Sequence, residues 1–211
     1  MTEARHFGVY PALVTDLVDP DGIGRVQVEL PWLGSSSNSV RAWARLVSPY
    51  ADDDQGLEII PAVGSEVVVA FEAGDLRRPY VLGAAWNGRE SQPFSPQDSN
   101  DLRVLRTRSG SVLEFDDTTG GEHIRLALAS GFELLLDNAA QTATVTDPYG
   151  SSVVMDPAGL HITAAARVTV TAAIVEVDAA LSRFSGVVQC DTLISTSVVS
   201  PLYTPGAGNI W

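Results

Sequence analysis

Lysine is absent from this sequence, cysteine occurs once and histidine three times, and no apolar run approaches the roughly 18 residues that a membrane-spanning helix needs. Each shortage excludes something. A lone Cys190 cannot close an intrachain disulfide, and it cannot build a structural zinc site, which takes about four ligands. The opening residues MTEARHFGVY have neither the basic flank nor the apolar core of a secretory signal, so a soluble chain that starts in the cytoplasm is expected. Arginine supplies all 13 basic residues against 26 acids, for a net charge of −13. The deficit is even along the chain, with 7 arginines and 14 acids in residues 1–100 and 6 and 12 in residues 101–211. An acidic surface of this kind repels phosphate, so neither nucleic acid nor an anionic membrane is an expected electrostatic partner. Disorder is excluded as well: 45% apolar residues over a length of 211, with mean hydropathy +0.11, are enough to bury a core.

What is present reads as β throughout. Val9–Val18, Arg25–Leu30, Arg41–Ser48, Glu66–Glu72 and Tyr80–Trp86 are rich in β-branched and aromatic residues, and five strands is the number in an OB barrel. Asp19-Pro20-Asp21-Gly22 has the chemistry of a turn, while Gly34–Ser39 and Asp52–Gly56 read as loops. Prolines, serines and asparagines between Asn87 and Asp101 mark a linker. The expected organisation is a barrel over 1–88, a linker over 89–102, a second β domain over 103–200 and a tail over 201–211.

The second domain repeats itself. Gly110–Asp116, Gly131–Asp137 and Gly150–Asp156 each have a glycine, five residues and an aspartate, and each is followed by a second strand, at His123–Leu128, Thr142–Thr146 and Leu160–Ala164. From Ala165 the period falls to seven: AARVTVT, AAIVEVD, AALSRFS, then GVVQCDT and LISTSVV. A coiled coil does not fit this heptad, because Val168 with Val170 and Val175 with Val177 are two apart, which puts them on one face of a strand and about 200° apart on a helix. Seven residues reach only about 23 Å, too little for one turn of a single-chain solenoid. Three chains sharing the sides of a triangular prism would make so short a period natural, so a homotrimer is expected. The apolar residues expected inside it are Leu113, Phe115, Leu134, Leu136, Val153, Met155, Val168, Val170, Val175, Val177, Phe184 and Val188, with Cys190 as a small hydrophobe among them. About twelve strands at about 4.8 Å would make a shaft of about 55 Å.

The first domain also carries a family pattern. Gly24-Arg25, Pro31-Trp32, Trp43 and Arg45, Pro61 with Gly64 and Glu66, Gly74-Asp75, and Pro79 with Gly83 resemble the OB domain of phage baseplate assembly protein V and VgrG spike proteins, and the repeats after Asn100 look like the needle that follows it. The resemblance implies an OB barrel joined to a trimeric triple-stranded β-helix, the central spike of a contractile tail, assembled in the bacterial cytoplasm and carried in the baseplate of a phage or injection-system particle. It implies a separate hub protein at the barrel end, a PAAR-type tip protein at the far end, and cargo or tape measure inside the tube. The target membrane would be contacted mechanically, with no cofactor. Family members that hold a tip metal do so with paired histidines, whereas His6, His123 and His161 are isolated and none lies in the last fifty residues. Val198, Val199, Tyr203, Ile210 and Trp211 are the residues expected to meet the tip.

Two other functions fit parts of the sequence. Trp32, Trp43 and Trp86 on an OB barrel could stack on an oligosaccharide, and a β-solenoid with acidic pairs such as Asp116-Asp117 could hydrolyse an envelope glycan. Packing accounts for the tryptophans at less cost. The repeated aspartates end strands, where capping of a turn accounts for them. No histidine follows His161 to activate a Ser or Thr, so no enzyme is expected.

Overall fold

Alternation of apolar and polar residues decides the first half of the chain. The computed structural model describes residues 5–35 and 38–200. Strands β1 (Val9–Asp16), β2 (Arg25–Ser35), β3 (Asn38–Leu46), β6 (Glu66–Phe71) and β7 (Pro79–Ala84) close a barrel in the order β1-β2-β3-β7-β6. All neighbours pair antiparallel except β3 and β7, whose parallel contact at Arg45–Tyr80 and Leu46–Val81 completes the closure. Val26, Val28 and Leu30 of β2 point inward with Val67, Val69 and Phe71 of β6, Ala12 and Val14 of β1, Ala44 of β3 and Val81 of β7. The intervening residues face out, as a period of two requires. Closure leaves the barrel without an open edge.

The strands begin and end within a few residues of their expected positions, with two differences. Gly34–Ser39 is not simply a loop: β2 runs on to Ser35 and β3 starts at Asn38, paired through Gly34–Ser39 and Ser35–Asn38 after a register shift beyond Leu30. The acidic stretch at 52–56 forms a small hairpin of β4 (Ala51–Asp52) and β5 (Gln55–Gly56). The turn at Asp19–Gly22 is built as its sequence suggests, with Gly22 N–H donating to the Asp19 carbonyl at 3.1 Å.

A seven-stranded antiparallel meander follows: β8 (Leu102–Arg106), β9 (Val112–Asp116), β10 (His123–Ala127), β11 (Glu133–Asp137), β12 (Thr142–Thr146), β13 (Ser152–Asp156) and β14 (Gly159–Thr163), each paired with the next. The three sequence repeats are three consecutive hairpins, β9–β10, β11–β12 and β13–β14. Gly110, Gly131 and Gly150 enter them at φ of 89°, 96° and 94°, a left-handed backbone that side chains resist.

The chain divides into a unit over Met1–Ala165 and another over Ala166–Trp211. In the second unit, residues 166–200 are exposed and form no strand within the chain, although their period leads one to expect five-residue strands. Residues 166–200 lack the glycine-bearing turns that fold the preceding hairpins, Gly186 being their one glycine. The tail residues Tyr203, Ile210 and Trp211 lie outside the described residues.

Candidate functional site

The registers of the meander place side chains in rows across the sheet. One row runs Arg103, Phe115, Ile124, Leu136, Ala143, Met155, Leu160, and the next Leu105, Leu113, Leu126, Leu134, Val145, Val153, Ile162. Thirteen of these fourteen side chains are apolar, and they share one face. That face is uncovered within the chain: Leu126 is 47% exposed, Leu136 42% and Met155 54%. The opposite face is mixed and better covered, with Glu114 buried and Arg125 and Leu135 half-buried. A folded chain that leaves its apolar face in water and shelters its polar one has the asymmetry of a subunit surface.

Six residues expected inside the needle, Leu113, Phe115, Leu134, Leu136, Val153 and Met155, thus stand together in these two rows. Their partners Ile124, Leu126, Val145, Leu160 and Ile162 were missed, because reading the glycine-aspartate repeat followed only the first strand of each hairpin. The alternation in His123-Ile-Arg-Leu-Ala127 was the available signal. Val168, Val170, Val175, Val177, Phe184, Val188 and Cys190 are exposed in the second unit, as are Val198 and Val199.

The aspartates that close the repeats are engaged locally. Asp116 Oδ1 accepts from Thr118 N–H at 2.8 Å, Asp137 Oδ1 from Ala140 N–H at 2.8 Å, and Asp156 Oδ1 from Ala158 N–H at 2.7 Å. The Thr118 contacts hold the Asp116 carboxyl below the usual range. Hydrogen bonds to the ionised form have this effect, and they are the work of turn caps.

On the polar face His123 lies between two acceptors. Its Nδ1 is 2.9 Å from the Gly121 carbonyl and its Nε2 is 3.3 Å from Glu114 Oε1. Both contacts favour the imidazolium, so the His123 pKa is raised, first by the Gly121 carbonyl and then by Glu114 and Asp116. Arg125 and Glu133 pair beside it at 2.6 Å.

In the barrel, the family-pattern residues hold corners and rims together. Asp19 accepts from the backbone N–H groups of Asp21, Ile23 and Arg25 and from the Arg25 guanidinium at 2.7 Å, so the Arg25 side chain holds the Asp19 carboxyl far below the usual range. Gly24 precedes this arginine, which also lies over the Trp43 ring at 5.8 Å, and Arg45 lies over Tyr80 at 5.9 Å. Trp32, next to Pro31, stacks on Tyr10 with ring centroids 4.5 Å apart and donates from Nε1 to the Pro11 carbonyl at 3.0 Å. Gly64, three residues beyond Pro61, donates to the Val14 carbonyl at 2.8 Å, and Glu66 accepts from Asn87 at 2.9 Å. Gly74 is buried, Asp75 pairs with Arg77, Pro79 is fully buried, and Gly83 pairs with Val68. Trp86, expected to pack, is 61% exposed.

Comparison with known proteins agrees with this architecture. Residues 10–86, the barrel, match the model of the type VI secretion system/phage-baseplate injector OB domain. Over this region the chain is VgrG-like, resembling baseplate and spike proteins. It is 31% identical over 125 residues to the type VI secretion system spike protein VgrG3 of Vibrio cholerae, covering 56% of this chain and 12% of that protein. It is 30% identical over 106 residues to the spike protein VgrG2a of Pseudomonas aeruginosa, covering 47% and 13%. The actin cross-linking toxin VgrG1 of Vibrio cholerae is 28% identical over 140 residues, covering 60% and 13%. The matched region is thus about an eighth of each VgrG relative's length.

Proposed function

We propose that this chain is the trimeric central spike of a contractile baseplate, with its barrel docked on a tail hub and its β domain forming a needle driven through a target envelope. The two apolar rows carry this reading. Three sheets of this kind, apolar faces inward, make a closed prism in which each chain covers the other two. Burying the exposed part of a large apolar side chain is worth on the order of 1 kcal/mol, so the eleven large exposed side chains in these rows supply ample driving force for association. The heptads of residues 165–199 supply short strands that pair between chains. Three interwound chains part only when many ladders break together, which makes resistance to unfolding a matter of rate. A PAAR-type protein caps the end on a platform formed by Val198, Val199 and the tail through Trp211.

Sedimentation of the purified chain tests the assembly, with three times 22.4 kDa as the expected mass and a stable folded monomer as the result that rejects it. Deletion of residues 201–211 tests the platform. It should leave the trimer intact and abolish binding of the cognate tip protein.

A further inference from the structure

The two turn-bearing sides of the meander differ in charge. Antiparallel order sends the β8–β9, β10–β11 and β12–β13 turns to one side and the β9–β10, β11–β12 and β13–β14 turns to the other. On the first side Arg106 ends β8 and Arg108 stands in the turn after it. Both are exposed, and among the described residues neither meets a carboxylate. On the second side Asp117 and Glu122 flank the β9–β10 turn, and Asp117 is 69% exposed, with Arg103 at 4.0 Å as its ion-pair contact.

Cyclic symmetry restricts how such sides meet. When three identical sheets close a prism with the same face inward, each corner joins the first side of one copy to the second side of the next. Successive turns are offset by one strand, about 4.8 Å along the stack, so the Arg108 turn falls beside the turn between residues 117 and 122. Within one chain these groups are separated by a five-residue strand, about 17 Å, and cannot meet.

We infer that Arg106 and Arg108 of one copy face Asp117 and Glu122 of the next, forming an ionic seam repeated at three corners of the needle. The inference rests on the trimeric reading above and adds its direction and register: like sides repel, unlike sides attract, and a slip along the axis separates the charges. The apolar rows, being nearly uniform along the stack, specify register weakly by themselves.

Charge reversal in the full-length chain tests the seam. The pair R106E/R108E and the pair D117R/E122R should each lower the temperature at which the trimer dissociates in detergent, more at low salt than at high. Combining all four changes should recover at least half of either loss. A second measurement uses cysteines in a Cys190→Ser background. R108C/D117C should oxidise to a covalent trimer, whereas either single cysteine should stay uncross-linked. Lack of recovery in the fourfold variant, cross-linking that stops at dimers or occurs with one cysteine, or no cross-linking in a trimeric protein overturns the seam and leaves the trimer standing. A monomeric unmodified chain overturns the trimeric reading itself.

Discussion

His123 Nε2 sits 3.3 Å from Glu114 Oε1 across the β9–β10 ladder, and Glu114 is the buried acid of the meander among the described residues. Because its other nitrogen faces the Gly121 carbonyl, the ring serves both acceptors only as the imidazolium. The His123 pKa is raised, so its contribution is fully present below the unfolded value of about 6.5 and is lost as pH rises through the folded value. Thermal melts between pH 5 and 9 should show stability falling on the alkaline side, and His123→Gln should flatten that slope. An unchanged slope in the variant would reject the assignment. The depressed Asp116 acts in the opposite window, its contribution being lost as pH falls through its lowered pKa.

Gly74 adopts φ +77°, and a Cβ there would lie 3.0 Å from both the His6 backbone nitrogen and Arg5 Cβ. Gly74→Ala should cost about 2 kcal/mol, part from the left-handed backbone and part from displacing the Arg5–His6 segment. Chemical denaturation of the same substitution in a chain truncated before Gly8 should show only the backbone part. Equal losses in both chains would mean that the segment does not rest on Gly74.

Leu134 and Leu135 are neighbours in sequence on opposite faces of β11. Leu134 stands in the apolar row between Leu126 and Val145, while Leu135 lies between Arg125 and Thr144. Leu134→Asp should place three carboxylates in an apolar interior at a cost of about 3–5 kcal/mol per trimer and reduce trimer yield sharply. Leu135→Asp, beside Arg125, should leave the yield close to that of the unmodified chain. Light scattering on both variants distinguishes the faces, and equal yields would show that the apolar rows do not face the axis.

The same logic applies to the heptads. Val177→Asp should impair trimer formation, and Asp178→Val should be nearly silent, because adjacent residues on a strand point to opposite faces. Sedimentation of the two purified proteins gives the answer, and identical profiles would mean that residues 165–199 do not form strands in this register.

Much of this protein was legible in its sequence because the governing effects are local. Period-two alternation and turn residues located the five barrel strands to within a few positions. The glycine-aspartate repeat marked three hairpins, since a left-handed glycine at one end and a capping aspartate at the other determine where each strand starts and stops. The extension of β2 to Ser35 was not readable, because residues beyond the Leu30 irregularity are held by pairing with Asn38 and Ser39 and not by their own propensity. The exposure of Trp86 likewise depends on where β7 ends and not on residue type. Only tertiary structure could join Leu113 to Leu126 and Leu134 into one row, or set Arg108 and Asp117 on opposite sides of one sheet. Those relations depend on register, which is the outcome of every turn between the strands acting together. The heptads mark the boundary from the other direction: their period is plain in the sequence, while residues 166–200 form no strand within the chain.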